Sequence, residues 1–243
     1  MKNNQLFIQE IRLEKNQIPN HNIYPYNIEI IKKLDKLNIT CPVTFLIGEN
    51  GIGKSTLIEA IAVSCGLNPE GGTENFMFET KATHSDLYKV LWINHFQRKC
   101  ETKFFLRAES FYNVITNIDE LQIQAYYGGN SLHSYSHGES FLRLIEKRFS
   151  PNGLYILDEP EAALSPSRQM TLLCYINKLV EEGSQFIIAT HSPILISYQK
   201  GEIIDLNQNY KKVHYKDTEI YQTYKLYLDN PERMQKHLFE EEE

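Results

Sequence analysis

Tryptophan occurs once in these 243 residues and cysteine four times. Cys41, Cys65, Cys100 and Cys174 are scattered and form no C-x-x-C pair, so neither a disulfide frame nor a thiolate zinc site is indicated. Thiols placed this way fit a reducing compartment, and a cytoplasmic location is expected. The eight histidines also lack ligand spacing. Apolar runs are short. Pro42–Ile47 and Phe186–Thr190 fall far below the roughly 20 residues needed to cross a bilayer. Met1–Glu10 is polar, which reads against a secretory signal. Positive charge is in deficit too: 25 Lys and Arg face 31 Asp and Glu, a net charge of −6. That argues against a generally basic nucleic-acid coat, though not against a local basic groove. Trp92 and the fifteen tyrosines read as packing, and Lys200, Lys211 and Lys212 as a solvated face.

What remains is ordinary globular material, 42% apolar and 23% charged. The length suits one domain, or one domain with a subdomain. No repeat and no low-complexity linker interrupts it. Leu6–Leu13 half-alternates as a strand does. Asn27 can cap a helix over Ile28–Leu37, with apolar residues three apart. Val43–Ile47 reads as a buried strand, and Lys54–Cys65 as a helix stopping at Gly66. Asn68–Thr83 and Tyr126–His137 read as loops. Val90–Ile93 and Phe104–Leu106 read as strands, and Phe111–Leu121 and Gly138–Phe149 as helices. Leu154–Leu157 and Gln185–Ala189 are further apolar strands around a helix at Met170–Val180. Ile203–Leu206 and Lys212–Tyr215 suggest a closing hairpin, and Pro231–Glu243 a final helix. Strands alternating with helices predict an α/β fold with a mainly parallel sheet.

Gly48-Glu49-Asn50-Gly51-Ile52-Gly53-Lys54-Ser55-Thr56 matches G-x-x-x-x-G-K-[ST]. Each part serves phosphate chemistry. Glycines let the backbone curl until successive N–H groups point at phosphate oxygens. The helix that follows aims its N-terminus at the same anion. Lys54 reaches the β- and γ-phosphates, and Ser55 offers a hydroxyl to Mg²⁺. The flanking strand and helix supply the context the motif needs.

Leu154-Tyr155-Ile156-Leu157-Asp158-Glu159 is an apolar strand ending in two carboxylates. Asp158 at the strand end can face the Mg²⁺ held by Ser55. Glu159, one residue on, points elsewhere and can orient or deprotonate an attacking water.

With these motifs in order, the chain resembles the ATP-binding-cassette (ABC) class of P-loop ATPases from about Val43 to Pro193. Ser136-His137-Gly138-Glu139-Ser140 resembles that class's signature loop, with His137 in place of a glycine and Glu139 in place of glutamine. Ala163-Leu164-Ser165-Pro166 falls where the class carries its D-loop. His191 resembles the switch histidine that contacts the γ-phosphate, and Glu109 stands near the position of the Q-loop glutamine. Tyr24 or Tyr26 would stack on adenine. Phe105–Phe111, Ser136–Ser140, Asp158–Pro166 and Asn230-Pro231-Glu232-Arg233 together resemble small stand-alone bacterial predicted ATPases, often labelled AAA family ATPases.

The resemblance implies one ABC-type domain over 1–243, with a helical signature subdomain inserted at about 68–145 and a small antiparallel β part at the N-terminus. It implies ATP and Mg²⁺ as cofactors. Gly48 to Thr56, Ser136, Gly138 and Glu139 would contact nucleotide, while Ser55, Asp158 and Glu109 would serve the metal. Lys54, Glu159 and His191 would act in catalysis. It further implies an ATP-gated homodimer in which Ser136 and the Gly138 amide grip the partner's γ-phosphate. The expected role is a switch on an unknown protein or nucleic-acid partner, in defence or repair. The alternative is the nucleotide-binding subunit of a membrane transporter. The interval between Lys54 and Ser136 is too short and glycine-broken for a long coiled coil.

Overall fold

The computed structural model describes residues 6–72, 85–95, 98, 100–111, 113, 115–116 and 131–239. Two sheets organise them. The larger has six strands in the order β5-β6-β7-β3-β8-β9. These are β3 (Val43–Ile47), β5 (Thr102–Arg107), β6 (Gly153–Asp158), β7 (Gln185–Ala189), β8 (Glu202–Asp205) and β9 (Lys211–Val213). All pairings are parallel except β8–β9, the closing hairpin. β3, β6 and β7 are buried at every position, as strands covered on both faces must be. Their side chains divide by the two-residue period of a strand. Leu46, Leu154, Ile156 and Ile187 enter the core on one face. Phe45, Tyr155, Leu157 and Ile188 enter the core on the other. Each such side chain contributes about 1.5–3 kcal/mol by leaving water.

Helix α2 (Lys54–Ser64) covers the first face and follows β3 directly. Helices α3 (His137–Arg148) and α4 (Pro166–Glu181) cover the second. On that side Phe149 stacks on Tyr155 at 4.0 Å, and Phe186 leans on both rings. The Tyr155 hydroxyl donates to the Ser150 carbonyl at 2.6 Å, so its polar tip is satisfied.

The smaller sheet is antiparallel, with the order β2-β1-β4: β1 (Ile8–Leu13), β2 (Lys36–Asn38) and β4 (Leu91–His95). Buried Gln185 splices it to the main sheet. Its amide nitrogen donates to the Ile8 carbonyl and its oxygen accepts from the Ile8 N–H, both at 2.9 Å. The stretch 68–145 supplies β4 to the small sheet and β5 to the large one.

Two departures from the sequence reading are instructive, at Glu29–Lys33 and at Glu219–Asp229. Helix α1 covers only Glu29–Lys33, capped by Ile28 instead of Asn27. Leu34 turns extended, and Leu37 pairs with Ile11 on β1, where it is buried. Apolar residues three apart suit a helix stripe, but strand pairing with β1 won. The helix expected at Phe111–Leu121 falls mostly outside the described residues. Helix α5 (Glu219–Asp229) has no counterpart in the reading, although Thr218 marks its start by accepting from the Tyr221 N–H at 3.2 Å. It leads into α6 (Pro231–Phe239), near the expected final helix.

Candidate nucleotide site

Three parallel strands deliver the chemistry to one edge of the sheet. β3 runs into the glycine loop, β6 ends at Asp158, and β7 ends one residue before Thr190-His191. In register, Asp158 lies opposite Ala189, and Leu46 on the far side of β7 also pairs with Ala189. One strand therefore separates the loop from the acid pair. Carboxyl ends of strands in an open parallel sheet are where such folds bind ligands.

The loop leaves β3 at Gly48 and enters α2 through Gly53, whose φ is 109°. A Cβ there would sit 2.7 Å from Ile28, so conformation and space both require glycine. Lys54 is almost wholly buried and curls over the loop, donating to the carbonyls of Gly48 at 3.0 Å and Glu49 at 2.8 Å. Burial lowers its pKa, opposed by the charges of Glu159, Asp158 and Glu161. From the β8 end of the sheet, Asn207 accepts from the Glu49 N–H at 3.3 Å and steadies the loop.

Ser55 Oγ donates to Asp158 Oδ1 at 3.2 Å, joining the start of α2 to the end of β6. Asp158 is 5% exposed. Burial pushes its pKa up to about 6; Arg107 and Ser55 oppose that rise and the neighbouring Glu159 adds to it. Glu159 sits in the left-handed region, φ 48° and ψ 51°, while its N–H continues the ladder to the Ala189 carbonyl at 2.9 Å. Strain of this kind at a non-glycine residue is characteristic of functional positions. The bend carries the Glu159 carboxylate to 3.6 Å from His191 Nε2. Burial, then Lys54, lowers the His191 pKa, so the ring is neutral at neutral pH.

The His191 loop is held from below. Glu161 accepts from the His191 N–H at 2.5 Å. Ser192 Oγ donates to Gln169 of α4 at 2.5 Å, and Gln169 donates to the Leu164 carbonyl at 3.0 Å. Burial raises the Glu161 pKa. Glu161 Oε2 and His191 Nε2 are both buried without a hydrogen-bond partner among the described residues. Buried polar atoms left unsatisfied in this way are uncommon and mark the spot as unusual.

The structure thus brings together Lys54, Ser55, Asp158, Glu159 and His191. Glu109 lines a cleft of about 150 Å³ with Ser55, Asp158 and Glu159, though its own side chain is 89% exposed. His137 lines the same cleft. Ser136, Gly138 and Glu139 instead pack against α4. Glu139 accepts from Ser136 and pairs with Arg168 at 3.2 Å, and a Cβ on Gly138 would meet the Ala163 carbonyl at 2.9 Å. Of the two candidate adenine-stacking tyrosines, Tyr26 is core. Tyr24 is exposed, with its hydroxyl 3.4 Å from Thr56 Oγ1.

One site residue escaped the sequence reading. Arg107, the last residue of β5, lies in register with Asp158. Its Nε is 3.4 Å from Asp158 Oδ2, and its Nη1 donates to Glu59 of α2 at 2.8 Å. Only strand pairing puts it there, and pairing is not written in local sequence.

The donor set suits magnesium. Ser55 and Asp158 offer hard oxygens at the phosphate loop. No group of three or more carboxylate, histidine or cysteine ligands gathers among the described residues. A divalent ion here would take its other ligands from phosphate and water.

A family model described as "AAA domain" matches residues 21–148, more than half of the chain. The chain belongs to that AAA domain family. A second model, "AAA ATPase domain", matches residues 133–196 of this AAA protein, spanning the signature-like loop, the acid pair and His191. With the phosphate loop and strand order above, it is a P-loop NTPase of AAA type. A curated relative is "Xylose import ATP-binding protein XylG" of Photobacterium profundum, 29% identical over 192 residues. The alignment takes in 66% of the AAA chain and 36% of the relative, so the chain spans about a third of that protein. Solved structures similar to it include an ATP-binding subunit of an ABC transporter, at 17% identity and TM-score 0.48, covering 90% and 94% of the two chains. The SMC head domain from Thermotoga maritima matches at 15% identity and TM-score 0.45, covering 82% and 95%. No helix among the described residues is long and apolar enough to cross a membrane.

Proposed function

We propose that this AAA protein binds ATP with Mg²⁺ at the phosphate loop, hydrolyses it to ADP and phosphate, and uses the cycle as a homodimeric switch on a protein or nucleic-acid partner. The observation that carries this reading is the convergence of Lys54, Ser55, Asp158, Glu159 and His191 on one sheet edge.

The amides of Gly48 to Thr56 would cradle the phosphates, with Lys54 turning from the loop carbonyls to the anion. Ser55 and Asp158 would hold Mg²⁺, with Glu109 near it, and the ion would neutralise developing phosphate charge. Glu159 would take the proton of the attacking water or orient it. Neutral His191 would lie near the γ-phosphate, its unpartnered Nε2 supplying or accepting one hydrogen bond. Ser136 and the Gly138 amide would complete the site of a second copy, with Glu139 fixing Ser136.

Light scattering of Glu159→Gln with and without Mg²⁺-ATP tests this. The expected result is intact ATP binding, turnover reduced at least about 100-fold and a shift from monomer to dimer. Lys54→Ala should abolish nucleotide binding; unchanged affinity would overturn the phosphate-loop assignment. The name of the xylose-import relative favours a second reading, a transporter's nucleotide-binding subunit. A dimer of this chain alone supports the switch. A chain that stays monomeric with ATP and hydrolyses it only beside a membrane partner supports the transporter.

A further inference from the structure

Arg107 has a position no phosphate-loop motif announces. It is 18% exposed, and its guanidinium faces three carboxylates: Glu59 at 2.8 Å, Asp158 at 3.4 Å and Glu109 at 3.7 Å. Arginine keeps its charge under all ordinary conditions. The three contacts are unequal. Toward Glu59 the geometry is a full charge-assisted hydrogen bond. Toward Asp158 it is proximity alone, because Nε is buried with no hydrogen-bond acceptor among the described residues. Arg107 therefore holds Asp158 loosely while anchored firmly on the phosphate-loop helix.

That asymmetry suits exchange. Asp158 Oδ1 is already shared with Ser55, and a divalent ion between Ser55 and Asp158 would lie within the field of the guanidinium. Two cations would compete for one carboxylate. When Asp158 turned to the metal, Arg107 would not be left as an unpaired buried charge, since Glu59 and Glu109 remain beside it. Resting on the reading of the site as an ATP–Mg²⁺ site, we propose that Arg107 is the resident counter-cation of Asp158, a positioning residue that competes with Mg²⁺ and sets how much of the ion the site requires. A merely structural ion pair between β5 and α2 would affect stability and leave the metal requirement untouched.

The test is a Mg²⁺ titration of the full chain with a fluorescent, non-hydrolysable ATP analogue, compared with binding in EDTA. Arg107→Gln should lower the Mg²⁺ midpoint about three- to tenfold and leave the EDTA affinity unchanged. An unchanged or raised midpoint overturns the proposal. So does a loss of affinity in EDTA, which would mean that Arg107 grips phosphate. If Arg107→Gln does not fold, Glu59→Gln reports in the opposite sense. It frees the guanidinium toward Asp158 and should raise the midpoint, while an unchanged or lowered one overturns the proposal. Wild-type protein that shows no Mg²⁺-dependent binding would instead sink the reading of the site itself.

Discussion

The main sheet holds a buried acid at each end, and the two are treated oppositely. Glu202 opens β8 and is 8% exposed; Asp158 closes β6 and is 5% exposed. Glu202 accepts five hydrogen bonds: from Thr40 N at 2.8 Å and Oγ1 at 2.7 Å, Cys41 N at 3.2 Å, Thr44 Oγ1 at 3.0 Å, and Lys212 Nζ at 2.6 Å. Burial alone would raise its pKa, but Lys212 and Thr40 overcome that and lower it. Asp158 has one hydrogen bond and one loose cation, and burial wins. Beside it, Glu161 Oε2 and His191 Nε2 have no hydrogen-bond partner among the described residues, and Glu159 is strained. Burial is nearly the same at both ends, so donors decide. The saturated end is finished architecture. The starved end keeps donors and acceptors in reserve, as the proposed nucleotide site requires.

The largest expected effect falls on the saturated end. Glu202→Ala strips the acceptor from five donors and should cost about 3–5 kcal/mol, read as a fall in the urea midpoint. The pH dependence has a definite sign. A carboxylate whose folded pKa lies below its unfolded value stabilises the fold above the unfolded pKa, near 4.5. That contribution is lost as pH falls below 4.5 through the folded pKa. Wild-type stability should drop across that range more steeply than that of Glu202→Gln. Equal slopes would mean that the donors around Glu202 are decoration.

Asp158 should respond the other way. Asp158→Asn removes a buried charge that lacks full compensation, so nucleotide-free protein at neutral pH should gain about 1–2 kcal/mol. The same variant should lose its response to Mg²⁺ in nucleotide binding. Stability that falls by a comparable amount would break the comparison and put Asp158 among the structural acids.

These two acids also mark what was legible in the sequence. Asp158 was readable because its signal is local: an apolar strand, two carboxylates and a phosphate loop elsewhere in the chain. β3, β6 and β7 were readable for the same reason, being continuous apolar runs. Glu202 was not. Its donors at Thr40 and Thr44 lie 162 and 158 residues away. Arg107 likewise owes its place to the β5–β6 register. Leu37 was misread because spacing of three reads as a helix stripe, whereas its place in a three-residue strand is set by pairing with β1. Pattern announces elements and motifs, while long-range pairing decides which charged groups meet.

The smallest effect would sharpen the contrast at a single residue. Glu159 holds φ 48° and ψ 51°, a conformation that costs an L-residue about 1 kcal/mol and glycine almost nothing. Part of the gain from glycine is offset by the greater freedom of its unfolded chain. Glu159→Gly should therefore raise the unfolding free energy by a few tenths to about 1 kcal/mol, while ATP turnover falls at least as far as in Glu159→Gln. A rise in stability with a loss of turnover would show strain maintained for chemistry. A loss of stability would show instead that the contact between Glu159 and His191 holds the bend in place, and that this corner of the starved end is as structural as Glu202.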